Sequence, residues 1–168
     1  MITSPPIERQ RIVKKYTSGQ KHWASDYIGM KWVNGARGPD TFDCWGLLCA
    51  VYKNHFNTIL PTYAGIDAQD QSKTVPEIAK GIASGDWVKI DKPINGAAVA
   101  LGANNIVTHV GIYLAVDRGH LLHAVSPAMG GRGFGGGVVC HRIETVRNRC
   151  LNVIGYYIPR TWPKPNAS

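Results

Sequence analysis

The sequence predicts an α+β domain, on three observations. Apolar residues recur at helical spacing only in the first half of the chain, strand-like segments fill the second half, and short turn-forming stretches separate those segments as antiparallel pairing requires. The chain has 168 residues, enough for one domain with one buried core, and 44% of them are apolar against 18% charged. That balance excludes a wholly disordered chain, and no apolar run approaches the ~20 residues of a membrane-spanning helix.

The elements follow in order. From Ile7 to about Lys31 the pattern is mostly helical, with Trp23, Tyr27 and Ile28 on one face. Met30 to Asp43 is polar and glycine-rich and reads as a loop. Asp43 then stands where an N-cap carboxylate accepts first-turn N–H groups, and Leu47, Leu48, Val51 and Tyr52 predict a buried helix starting near Cys44. A short amphipathic helix is expected over Thr74 to Ser84, with Thr74 and Glu77 as a capping box and Pro76 in the first turn. Strands are expected at Trp87–Ile90, Gly96–Leu101, Val107–Leu114, His120–Val125, Gly137–Ile143 and Leu151–Ile158. Ala115 to Gly119 reads as a hairpin loop, and Gly130 to Gly137, with six glycines in eight residues, as a mobile flap beside a cleft. The expected organisation is an extension over residues 1–19, a domain over 20–160 and a peripheral tail over 161–168.

Lysine and arginine number 19 against 11 acidic residues, for a net charge of +8, which favours an anionic partner. The basic residues are scattered, as in Arg9, Arg11, Lys14, Lys15 and Arg142, Arg147, Arg149, so nucleic acid is not the expected partner. The first ten residues carry no apolar stretch, so no secretory leader is expected and free thiols are the default. Cys44, Cys49, Cys140 and Cys150 form no Cys-x-x-Cys pair. Adding His141 to Cys49, Cys140 and Cys150 gives no usual ligand spacing, so no metal is expected. The glycine-rich loop lacks the Lys-Ser/Thr of a phosphate loop, and no other cofactor is implied.

One cysteine stands apart. A free thiol is only slightly ionised at neutral pH, and a helix N-terminus or a neighbouring imidazole favours its thiolate. Cys44 sits at such a helix start, whereas Cys49 lies one turn further in, among apolar residues. His109 opens a strand. If Leu114 faces His120 across the hairpin, then Gly111 faces His123, and His109 and His123 become diagonal neighbours on one sheet face, with His120 on the other. Gly111 would leave room for a thiol to approach. A cysteine, a histidine base and a third polar group orienting that base is the logic of thiol hydrolases.

The ordered motifs are Trp32-Val-Asn-Gly35, Phe42-Asp-Cys-Trp-Gly-Leu-Leu48, Leu60-Pro-Thr-Tyr63, Asn95-Gly-Ala-Ala-Val99, His109 to Leu114, Leu122-His-Ala124 and Val153 to Pro159. In this order the chain resembles the NlpC family of papain-like cell-wall peptidases, and most of all the single-domain versions in tail-tip and tail-assembly proteins of long-tailed bacteriophages. The resemblance implies a circularly permuted papain-like fold, with N-terminal helices on a mostly antiparallel sheet. It implies a hydrolase of peptidoglycan stem peptides, often at the γ-D-glutamyl–diamino acid bond, acting with other tail-tip or tail-hub proteins in a virion tail, without membrane insertion. It assigns Cys44 as nucleophile, His109 as general base and His123 as the orienting residue, with Trp32 and Asp43 on the oxyanion or substrate side. Trp32 stands where the family usually has tyrosine, Trp45 where serine is common, and Ala97 where an aspartate is common. These departures leave a second expectation, a structural tail component whose site is vestigial or gated by assembly.

Overall fold

The computed structural model describes residues 21–61, 81, 84–129, 136–147 and 151–162. Its centre is a six-stranded sheet of β3 (Trp87–Ile90), β4 (Ala98–Ala103), β5 (Ile106–Leu114), β6 (His120–Val125), β7 (Gly137–Arg142) and β8 (Asn152–Pro159). The strands run in the order β3-β8-β4-β5-β6-β7, and every pairing is antiparallel. All six segments read as strands from sequence are strands, within a residue or two at their ends. The β5–β6 hairpin has the expected register, with Leu114 opposite His120 and Ile112 opposite Leu122. Its loop turns through Asp117, Arg118 and Gly119, all at positive φ. The β4–β5 turn uses Asn104 and Asn105 at φ 51° and 60°, the left-handed pair that suits a two-residue hairpin.

One long helix, α1 (Cys44–Phe56), packs on this sheet against β5 and β6. Asp43 caps it, with its side chain accepting from Gly46 N, and Asn57 ends it in the left-handed conformation. Leu47, Leu48, Val51 and Tyr52 are all fully buried, at about 2 kcal/mol for each such side chain. Their cluster includes Ile112, Leu114, Leu122 and Ala124 from the hairpin. A second apolar cluster joins Val99, Leu101, Leu121 and Val125 to Ile143 and Val146 of α3 (Ile143–Arg147); α2 (Pro127–Met129) is a single turn before the glycine-rich segment. Adjacent Leu121 and Leu122 therefore serve different cores, as strand alternation requires.

Three expectations change. The helix reaching Lys31 is, among the described residues, only a 3-10 turn at Trp23–Asp26, after which Gly29 takes φ 91° and the chain pairs with β7 through Gly29 N to Val138 O and Val138 N to Met30 O. Ile28, expected on the packed face, is exposed. The Met30–Asp43 loop contains a short parallel pair, β1 (Lys31–Trp32) with β2 (Thr41–Phe42). The tail is not wholly peripheral: Trp162 is buried, stacks on Tyr52 with ring centroids 5.1 Å apart, and donates from Nε1 to Thr58 Oγ1 at 2.8 Å. Most of the helix expected over 74–84 and most of the glycine-rich segment fall outside the described residues.

Gly46 holds the start of α1 in place. A Cβ there would overlap the carbonyl oxygen of Ala36 and lie 3.1 Å from Asp43 Oδ1. The obstacle is backbone, so the loop before Cys44 would have to move. Gly46→Ala is expected to cost about 3 kcal/mol, read as a lower urea midpoint at unchanged slope.

Candidate active site

Cys44 is the first residue of α1, so its N–H has no intrahelical acceptor. The backbone amides of Val110 and Trp45 favour the anion of its thiol. Val110 is the residue after His109 on β5, so the thiol lies near the strand that carries His109. His109 Nε2 lies 2.9 Å from His123 Nδ1 in the buried interior, so Nδ1 is the ring nitrogen that remains for the thiol. Both imidazoles are almost inaccessible, at 3% and 0% exposure. The diagonal His109–His123 relation expected from the hairpin register is thus present as a hydrogen bond.

Gly111 has a different task from the expected one. A Cβ there would come within 2.6 Å of Leu121 Cδ1, 3.0 Å of Leu122 O and 3.1 Å of His123 Cβ. The space it leaves is taken by β6, which approaches closely enough for His123 to meet His109.

Asp43 takes the capping position expected from the sequence, and its carboxylate is engaged within the protein. It is 1% exposed, and both oxygens are committed: Oδ1 accepts from Gly46 N at 2.7 Å, and Oδ2 from Arg37 Nη1 at 2.7 Å and Gly35 N at 3.1 Å. An anionic carboxylate offers no donor to an oxyanion. Asp43 instead pins the 35–37 loop to the helix start. Trp32 is half-buried against the main core and pairs with Phe42, two residues before Cys44. Trp45, the residue in the usual serine position, donates from Nε1 to Pro61 O at 2.7 Å.

Burial governs the electrostatics. Desolvation, followed by the nearby Asp43 charge, pushes the Cys44 thiol up to about 12, against the smaller opposing pull of the Val110 and Trp45 amides and Arg37. The helix start alone therefore does not give a standing thiolate. Desolvation holds His109 down at about 4. His123 is lowered well below its ordinary value by desolvation and by its neighbours His109 and His141. At neutral pH the resting site holds an uncharged thiol and uncharged imidazoles. It can transfer a proton from sulfur to His109 only as an acceptor for the thiolate's electrons arrives.

Among the other cysteines, Cys49 is half-buried with its thiol also pushed up to about 12 by burial, and its Sγ lies 3.6 Å from Pro61 O. Cys140 is half-buried as well, and Cys150 lies outside the described residues. Among the described residues no group of histidine, cysteine or acidic side chains is arranged to hold a metal. One neighbour of the site was missed in the sequence: His141 Nδ1 lies 3.0 Å from His123 Nε2. The β6–β7 register puts Val139 opposite His123, so His141 is its diagonal neighbour. Strand alternation was the available signal, but the long connection before Gly137 leaves that register open in the sequence.

A cysteine at a helix start and a buried histidine pair on an antiparallel sheet packed by that helix define a papain-like α+β domain. The chain belongs to the NlpC/P60 family, whose sequence profile matches residues 29–134. Members of that family are generally cysteine peptidases acting on peptidoglycan. No curated protein sequence matches the chain significantly. Among solved structures, the NlpC/p60 domain of the peptidoglycan hydrolase SagA is similar, with a TM-score of 0.50 at 20% identity, covering 80% of this chain and 91% of that one. NlpC1 and NlpC2 from Trichomonas vaginalis give TM-scores of 0.52 each, at 22% and 24% identity, over 84% of this chain. The match covers 42% and 44% of those two chains. At these identities the likeness bears on the fold.

Proposed function

We propose that the protein is a cysteine peptidase that hydrolyses amide bonds in peptidoglycan stem peptides. The observation that carries this reading is Cys44 at the start of α1, its thiol acted on by the amide of Val110, next in the chain to His109, whose Nε2 is engaged by His123. Cys44 Sγ attacks the amide carbonyl carbon as its proton passes to His109 Nδ1. The Cys44 N–H, with Trp32 at the edge of the site, receives the oxyanion. His109 then gives the proton to the leaving amine, and a water activated by the same ring hydrolyses the thioester. The net charge of +8 supports residence on an anionic wall polymer. The test is digestion of purified peptidoglycan under reducing conditions, with mass spectrometry of the fragments. New paired amine and carboxyl ends from the parent protein, and none from Cys44→Ala, are expected. Equal cleavage by both would assign the nucleophile elsewhere.

A second reading, a structural component with a gated site, is favoured by the burial of Cys44 at 7% exposure. It predicts no cleavage by the isolated chain and cleavage only in an assembly. The finer biological reading is a virion component made in the host cytoplasm, acting at the tail tip of a long-tailed bacteriophage beside other tail-hub proteins. Its support is the motif order around Phe42-Asp-Cys-Trp-Gly-Leu. Immunogold labelling of tail tips on particles from a producing strain tests it, and unlabelled particles would dismiss it.

A further inference from the structure

Three histidines on three consecutive strands form one hydrogen-bonded row. His109 Nε2 faces His123 Nδ1 at 2.9 Å, and His123 Nε2 faces His141 Nδ1 at 3.0 Å. The two contacts have the same polarity, Nε2 of the earlier ring to Nδ1 of the later one. His109 and His123 are buried, whereas His141 is half-exposed on β7.

A neutral imidazole carries one N–H and one lone pair. A hydrogen bond between two neutral rings needs one proton between the facing nitrogens, so the proton on His123 decides the whole row. With His123 protonated on Nε2, it donates to His141 Nδ1 and accepts from His109 Nε2, leaving the His109 Nδ1 lone pair open. With His123 protonated on Nδ1, it donates to His109 Nε2, and His109 must carry its proton on Nδ1. Only the first arrangement lets His109 receive a proton from a thiol. A carboxylate as the third member would force that arrangement, because it can only accept. A histidine is ambivalent, so the choice passes along the row to the tautomer of His141.

We propose that His141 is a positioning residue that accepts from His123 at Nδ1 and so holds His109 in the tautomer with an open Nδ1 lone pair. This rests on the reading of Cys44 and His109 as nucleophile and base. His141 acts through His123. On that reading the base His109 is one end of a row of three histidines, with His141 at the partly exposed end.

The experiment combines nitrogen-15 NMR of ring-labelled histidines with the rate of Cys44 alkylation by iodoacetamide at neutral pH, followed by peptide mass spectrometry. The parent is expected to show Nε2–H tautomers at His109 and His123. His141→Phe, which keeps a ring but cannot accept, is expected to lose that uniform tautomer and to slow Cys44 alkylation about tenfold. His141→Asp, which can only accept, is expected to keep both the tautomers and most of the rate. A merely packing role for His141 predicts the opposite order of the two variants. An Nδ1–H tautomer at His109 in the parent overturns the proposal whatever the variants do, as does an unchanged tautomer and rate in His141→Phe. Neither readout uses peptidoglycan, so a protein with the expected tautomers that fails to cleave wall fragments refutes the peptidase and leaves the role of His141 standing.

Discussion

Cys44→Ala and His109→Ala are each expected to lower stem-peptide hydrolysis about a thousandfold or more, and the double variant is expected to be no worse than the poorer single one. The non-additivity follows from the two groups acting as one unit, since a base without its nucleophile does nothing and this buried nucleophile is inert without its base. The pH profile separates this from simple damage. With the thiol pushed up to about 12 and His109 held down at about 4, the uncharged pair dominates the whole interval between. The reactive thiolate–imidazolium form has the same number of protons as that uncharged pair, so its share does not change with pH there. Parent kcat/KM is therefore expected to be level across neutral pH and to fall on the acid side, as His109 takes up a proton toward pH 4. In His109→Ala the thiol must ionise unaided, so its alkylation should climb about tenfold per pH unit through the neutral range. A parent alkylation profile that climbs in the same way would show that His109 does not serve the thiol.

The hairpin that brings His109 to His123 was legible in the sequence because its loop, Ala115 to Gly119, is short and both flanking segments alternate clearly. Fixing one facing pair, Leu114 with His120, fixed the rest. Asp43 and Cys44 were legible as a cap and a helix start because the apolar spacing after them is unambiguous. The stretch around Trp23 was not legible. Its spacing suits a helix, but the chain beyond Gly29 hydrogen-bonds to β7, and that tertiary pairing overrides the local pattern. The resting state of the thiol was not legible either: a helix N-terminus can be seen in sequence, whereas the depth of burial that outweighs it depends on tertiary packing.

Acid is expected to weaken the fold through the same buried row. A histidine held neutral in the native state takes up a proton more readily once the chain unfolds, so its contribution to stability is complete above about 6.5 and drains as pH falls toward the folded value. For His109 that interval runs from 6.5 to about 4, and the full loss is about 3 kcal/mol. His123 is shifted in the same direction and adds to the loss. Against a typical stability of about 5–15 kcal/mol this is a large share. Urea unfolding at a series of pH values from 7.5 to 4.5 should show the midpoint falling steadily once pH drops below 6.5. Acidic side chains also titrate toward the lower end, so the decisive comparison is with His109→Gln, which cannot take up the proton. That variant should start less stable at pH 7.5, because His123 loses its ring partner, yet lose less on acidification than the parent does. Parallel pH dependences in parent and variant would mean that His109 is not held neutral by burial, and the level neutral-pH profile argued for catalysis would fall with it.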